Sequence, residues 1–283
     1  MLTQTYSRHV PGADASITRT LIRDASFCVA VLELRGLALD RGALGHALHF
    51  PTRFRRPQLT VLLSGRGYLR PATGVTTLRT GDVVESHQLA HLAEGYGGDA
   101  CEVLIVDWKD ESPLAPRRLS RLGEPELARL RALTAVVNKT APERWVLELS
   151  SCLQSLGFHR PLVTELTSSP APLRKLYAAV GAALSSLHTQ PSLLELAQSL
   201  GLSERQVHRQ FEQLPHSFAS WRELLHESRL DWTTQLLSVP GLPLGQVAQL
   251  AGYRSTIALH HALSLRGAAT PSAISRGLAE RWR

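Results

Sequence analysis

The spacing of apolar positions divides the 283-residue chain into two halves of different character. Over residues 172–283 it follows the helical period. Leu193, Leu196, Ala197 and Leu200 recur at i, i+3, i+4 and i+7, the stripe of an amphipathic helix. Ser192 ahead of it and Glu195 three residues on make a capping-box pair, and Gly201 stands where a helix stops. Ser203 and Gln206 repeat the box at once. The helix they open keeps only Val207 and Phe211 as an inward pair and turns Arg205, Gln206, His208 and Arg209 outward. Two short helices joined by a glycine turn, the second with a polar outer face, read as a helix-turn-helix; an ordinary helical hairpin with a solvated face has the same pattern.

The unit then recurs. Leu244, Val247, Ala248 and Ala251 repeat the first stripe, and Gly252 falls where Gly201 fell. After a turn one residue longer, Leu259 and Leu263 take the places of Val207 and Phe211. Thr256, Ile257, His260 and His261 are then the outward positions. A repeat of this size is hard to obtain from chance periodicity. Between the units, residues 217–237 carry Trp221, Leu225, Trp232 and Leu236 along one side, and a helix of that length is about 30 Å long, close to one turn of B-DNA. Leu176, Val180 and Leu184 predict a further helix over 173–188.

Several stretches of this half resemble the DNA-binding domain of the AraC/XylS family of bacterial transcription regulators. They are Leu196-Ala197 with Gly201-Leu202-Ser203, Val207-His208-Arg209-Gln210-Phe211, Ser217-Phe218, Trp221, Arg229-Leu230, Val247-Ala248, Ala251-Gly252-Tyr253 and Thr270-Pro271-Ser272. The resemblance implies two helix-turn-helix units joined by a long helix, with double-stranded DNA as partner. It also implies a homodimer, a small-molecule effector acting through the N-terminal domain, and contact with RNA polymerase where the regulator activates. It places Arg205, Gln206, His208 and Arg209 on the first recognition helix and Thr256, Ile257, His260 and His261 on the second. The chain departs from the family at His261, where arginine is usual, at Gly267 in place of phenylalanine, and at Pro243 in place of a capping serine or threonine. Arginine can grip guanine O6 and N7 together, which favours base contact for Arg209; phosphate contact is the alternative. His208 stands open between the two. Ile257 suits a thymine methyl, the alternative being a second unit that mostly touches backbone.

Residues 1–110 read as mostly β. Strand candidates rich in β-formers lie at 27–34, 59–63, 68–70, 76–78, 83–84 and 102–108, with Thr80-Gly81-Asp82 as a turn, which predicts a sandwich or small barrel. Gly65-Arg66-Gly67 reads as a hairpin turn; no Gly-Lys-Ser/Thr follows to make a phosphate loop. The run Leu62-Leu63-Ser64-Gly65-Arg66-Gly67, then Gly81-Asp82 and His87, is similar to the cupin barrels that often precede such DNA-binding domains. Many cupins hold a metal through histidines, and His46, His49, His87 and His91 are the candidates. The spacing His46-x-x-His49 departs from the cupin H-x-H and no acidic residue follows, so neither metal nor cofactor is expected. Residues 126–137 and 143–156 carry helical stripes; the second either packs on the sheet or meets a second copy of the chain.

The expected class is therefore α+β: a cupin-like barrel with a helical pair over 1–158, a proline-bearing linker at 159–171, and an all-α double helix-turn-helix over 172–283. The leading function is a sequence-specific, effector-responsive DNA-binding regulator and not an enzyme. A cupin-type metal enzyme and a ligand-free regulator are the alternatives. Composition adjusts this only slightly. The net charge of +7 and pI near 9.8 favour an anionic partner, and residues 172–283 hold 11 Arg and Lys against 7 Asp and Glu, or +4 of that charge. Cys28, Cys101 and Cys152 lie too far apart for a cysteine zinc site or a disulfide framework. No apolar run reaches the roughly 20 residues that span a bilayer, and residues 1–12 lack a signal-peptide core, so a cytoplasmic protein without membrane partners is expected.

Overall fold

The computed structural model describes residues 1–24, 26–40, 57–70, 75–87, 93–108, 118–158, 160, 162, 169–214, 218 and 220–282. Nine strands occur among them: β1 (Leu2–His9), β2 (Ser16–Arg23), β3 (Phe27–Arg35), β4 (Leu39–Asp40), β5 (Pro57–Arg70), β6 (Thr76–Arg79), β7 (Asp82–His87), β8 (Ala93–Trp108) and β9 (Arg118–Arg121). All pairings are antiparallel. The strand order is β1-β2-β3-β8-β5-β7-β9, with β4 against β8 and β6 against β5.

The central strands are apolar on both faces, because both faces are covered. Val29 and Val31 of β3, Leu59, Val61 and Leu63 of β5, and Leu104 and Val106 of β8 face a helical pair, α1 (Glu124–Thr134) and α2 (Pro142–Ser155). Trp145 fills that layer and donates its indole N–H to the Leu133 carbonyl at 2.8 Å. The alternate residues Leu32, Leu34, Leu62, Val103 and Ile105 face the other way, into a core that continues without a break into the C-terminal half.

Three readings of the N-terminal half change. Gly65-Arg66-Gly67 is not a turn: β5 runs on through it, and its register against β8 slips between Leu62 and Ser64 and again between Ser64 and Arg66. Gly65 has φ +87°, and a Cβ there would lie 2.7 Å from the Cβ of Cys101, so the glycine serves a bulge inside a long strand. The β region, expected over 1–110, extends further: β9, at Arg118–Arg121, comes before α1. The first two strands carried no strong apolar run, because β1 alternates buried and exposed residues. Of the histidines weighed as ligands, His46, His49 and His91 lie outside the described residues and His87 ends β7; among the described residues no group of three His, Cys, Asp or Glu could hold a metal ion. Cys28, Cys101 and Cys152 are buried thiols.

The C-terminal half is helical: α3 (Ala171–Ser185), a 3-10 turn at Leu187–Thr189, α4 (Leu193–Leu200), α5 (Glu204–Phe211), α6 (Trp221–Leu237), α7 (Leu244–Leu250), α8 (Thr256–Leu265) and α9 (Pro271–Trp282). Among the described residues no helix is long and apolar enough to cross a membrane. This half meets the sheet at two places. At the first, α3 lies along β1 so closely that a Cβ on Gly181 would sit 2.7 Å from Cγ of Gln4. Arg8, only 4% exposed, donates from Nε to the Leu184 carbonyl at 2.8 Å. Its guanidinium lies 4.8 Å from the Tyr6 ring centre and 5.4 Å from that of Trp232. At the second, Asp40, 1% exposed, accepts from Arg281 Nε at 2.8 Å, from Trp282 Nε1 at 3.0 Å and from the Tyr68 hydroxyl.

The first contact is open to a direct test. Arg8→Ala removes a charge-assisted hydrogen bond and two cation–π contacts from a closed site, and is expected to destabilise the full chain by about 2–3 kcal/mol. The exposed Arg35→Ala should stay within about 0.5 kcal/mol of the parent. Urea midpoints of the two variants check this; equal midpoints would remove Arg8 from the joint between the halves.

Candidate nucleic-acid interface

The first unit is set by its caps. Ser192 Oγ accepts from Glu195 N at 3.1 Å, while Glu195 Oε2 accepts from Ser192 N at 2.7 Å. Those hydrogen bonds from the Ser192 backbone and hydroxyl hold the Glu195 carboxyl below its usual range. Gly201 leaves α4 at φ +65°, and Leu202 N returns to the Ala197 carbonyl at 3.0 Å. Ser203 and Gln206 then form the second box, with Ser203 N donating to Gln206 Oε1 at 2.9 Å. Val207 and Phe211 are buried, and the Phe211 ring meets Trp221 edge-on at 6.3 Å. This anchor fixes the rotation of α5. Arg205, Gln206, His208 and Arg209 consequently emerge exposed on its outer side.

The four exposed positions are not equivalent. Gln206 spends its carbonyl oxygen on the cap, so only its amide N–H groups remain to donate. His208 Nδ1 lies 3.4 Å from Glu212 Oε1, one turn further on. Among the described residues, Arg205 and Arg209 enter no side-chain hydrogen bond or ion pair, and both are exposed.

The second unit has the same plan with different fittings. Pro243 stands at the N-cap of α7 and provides no side-chain cap. Ser255 caps α8 instead, accepting from Ala258 N at 3.1 Å. Leu259 and Leu263 are buried, and Ile257 stands 79% exposed, with His260 and His261 exposed beside it and Thr256 half-buried. Two groups were passed over in the sequence. Ser255 is the counterpart of Ser203, hidden by the longer turn. Arg254, exposed and one residue before that cap, adds a cation at the opening of α8. The signal for both was the Arg-Ser pair directly ahead of an apolar stripe.

Each unit is also tied to its neighbours. α6 begins at Trp221, where Ser220 caps it by accepting from Glu223 N at 3.2 Å. Its 17 residues make it about 25 Å long, shorter than the span expected from 217. Arg266, at the end of α8, is ion-paired with buried Glu227 of α6. Gly252, at φ +81°, lies against the Leu187 carbonyl of the 3-10 turn, and a Cβ there would overlap that oxygen. The turn of the second unit therefore rests on the entry to the first.

No family model matches the chain, and no curated protein matches it. Among solved structures, ToxT of Vibrio cholerae O395 is similar over 89% of this chain and 98% of that one, at 11% identity and a TM-score of 0.37. ToxT of Vibrio cholerae strain SCE256, bound to an unsaturated fatty acid, is similar over 90% and 97%, at 13% identity and a TM-score of 0.34. The AraC-like transcriptional activator CuxR is similar over 77% and 84%, at 12% identity and a TM-score of 0.35. Function is left to the residues themselves.

The two turn glycines look alike in sequence and should behave differently. Gly201→Ala meets nothing within 4 Å and is expected to lose about 1–2 kcal/mol from its left-handed backbone alone. Gly252→Ala adds overlap with a backbone carbonyl and should lose about 3–5 kcal/mol. Denaturant midpoints of the full chain decide between this and equal losses.

Proposed function

We propose that this protein is a DNA-binding transcription regulator of the AraC/XylS type. The observation that supports it best is the pair of capped helix-turn-helix units, each with a buried two-residue anchor and an exposed outer face, held against one another through α6 and Gly252. In this reading α5 and α8 enter the major groove, Arg205 and Arg209 read bases, and Arg254 with the start of α8 holds a phosphate. Gln206, His208, Thr256, Ile257, His260 and His261 complete the two faces. The first unit carries most of the sequence information, since it has the arginines. The polypeptide functions without catalysis, answers to a small-molecule effector, and contacts RNA polymerase if it activates.

Selection of bound duplexes from a random library, followed by binding of the enriched site at several salt concentrations, tests the reading. Retention of no duplex at low salt would reject it, because phosphate contacts are strongest there. Arg209→Ala should weaken binding to the selected site by about 1–3 kcal/mol and binding to random duplex by less. Equal losses, with a shallower salt slope, would reassign Arg209 to phosphate.

The homodimer is assigned to the α1–α2 face. There Leu147 is 48% exposed and Val136 36% exposed, and they border an open groove of about 520 Å³ beside Leu133 and Cys152. Leu147→Glu should shift the full chain toward monomer in sedimentation equilibrium. An unchanged mass would move the contact elsewhere.

A further inference from the structure

Among the described residues the two most exposed large apolar side chains both belong to α8: Ile257 at 79% and Leu265 at 69%. Single exposed apolar residues are ordinary on a protein surface. Two on one short helix, turned away from its buried anchor Leu259 and Leu263, set that helix apart. With His260, His261 and Ser264 they make up its exposed outer face. That face holds no arginine, lysine, asparagine, glutamine, aspartate or glutamate.

The missing types are those that grip base edges with hydrogen bonds. In a major groove arginine or lysine matches guanine, asparagine or glutamine matches adenine, and a carboxylate accepts from cytosine; the thymine methyl is met by apolar groups. α5 carries the first kind of reader in Arg205 and Arg209. α8 carries the last kind in Ile257, with the half-buried Thr256 next to it. Ile257 is the second residue of α8, at the end from which a recognition helix reaches the bases. Branching at Cβ holds its side chain to essentially one χ1 rotamer in a helix, so little freedom is lost when it packs.

The surroundings of this apolar face suit a polyanion. Over 240–282 four arginines stand against the single acidic residue Glu280, whereas over 191–214 Arg205 and Arg209 stand against Glu195, Glu204 and Glu212. Arg266 and Arg281 are held by Glu227 and Asp40, which leaves Arg254 and Arg276 exposed. Arg254 precedes the Ser255 cap, so it lies on the turn and not on the outer face. A basic surround attracts phosphate without reading sequence, and the apolar face within it ranks the bases.

We propose that α8 reads thymine methyl groups, with Ile257 as the specificity-determining residue, while α5 reads guanine. The operator is then chemically uneven, with guanine edges in one half and thymine methyls about one helical turn away. This rests on the DNA reading above and deepens it.

The probe is the duplex that the full chain enriches from a random library. Single thymines are replaced by uracil, which lacks only the methyl, and single guanines by 7-deazaguanine, which lacks the N7 acceptor. Uracil in one half is expected to weaken binding about three- to fivefold, the worth of one buried methyl. At the same position a 5-methylcytosine·guanine pair should bind better than cytosine·guanine. Ile257→Ala should bind the thymine and uracil duplexes alike, and should melt with the parent because the side chain is exposed. Guanines sensitive to the deaza analogue should lie in the other half and lose that sensitivity in Arg209→Ala. Tolerance of uracil throughout, uracil sensitivity that survives in Ile257→Ala, or a deaza-sensitive guanine in the α8 half that depends on Arg254 would overturn the proposal and leave the regulator reading standing. Tolerance of uracil together with parental DNA affinity in Ile257→Ala would give the face to a protein partner instead. Retention of no duplex at low salt would overturn the regulator reading, and this proposal with it.

Discussion

A guanidinium buried between a strand and two helices is the constraint on which the rest of the molecule depends. Arg8 carries its charge into a dry site with Nε hydrogen-bonded and Nη1 without a hydrogen-bond partner, so the contacts it does make have to hold it there. The partners it has are the carbonyl near the end of α3 and the faces of Tyr6 and Trp232. Meeting them requires β1, α3 and α6 to stay together. α6 in turn lies between the two helix-turn-helix units: its Trp221 packs on the anchor of α5, and its Glu227 holds the end of α8. The placement of both outer faces is thus referred back to one strand of the sheet.

The second attachment works by a different device. Asp40 is a buried carboxylate satisfied by three donors, two of them from the last turn of α9. The indole of Trp282 can approach because Gly95 and Gly97 offer bare backbone; a Cβ would stand 2.8 Å from it at Gly95 and 3.1 Å at Gly97. Arg66 adds a contact to the Trp282 carbonyl from the bulged part of β5. The bulge is therefore more than an irregularity. It brings Arg66 to the place where the final helix ends, and no hairpin turn at that point would do so.

What was readable in the sequence was whatever is decided locally. The caps at Ser192, Ser203 and their glutamate and glutamine partners, the stop at Gly201, and the anchors Val207 with Phe211 and Leu259 with Leu263 all follow from residues within one or two turns of each other. The strands around 27–34 and 102–108 were readable because both their faces are apolar. The rest depends on partners far away in the chain. Gly65 looks like a turn glycine until Cys101 is placed beside it. Gly181 looks unremarkable, and Gly252 no more than a helix stop, until Gln4 and Leu187 are. Nothing near Arg281 and Trp282 in the chain signals that Asp40, some 240 positions earlier, holds them. Periodicity has no access to such pairs. Of the proposed DNA-facing residues, seven emerge exposed and Thr256 half-buried, and the sequence missed Ser255 and Arg254 only because the second turn is longer.

The two units differ in side chains more than in scaffold. Both have a serine cap on the outer helix and a buried pair one turn apart, so their backbones can present a helix equally well. The first offers guanidinium groups, which can match a base edge with two donors at once; the second offers a branched apolar side chain and a pair of imidazoles. Replacement of the usual side-chain cap by Pro243 removes stabilisation from α7, and Gly252 returns some by letting that helix settle on the entry to the first unit. The second unit is thereby the one more dependent on its neighbours. Its orientation is tied to Leu187 and Glu227, both of which lie outside it. On the proposed reading, a change in the joint between the halves reaches the first recognition helix directly, through α3, which lies on β1 and packs against α4 and α5, and the second through α6 and the entry turn.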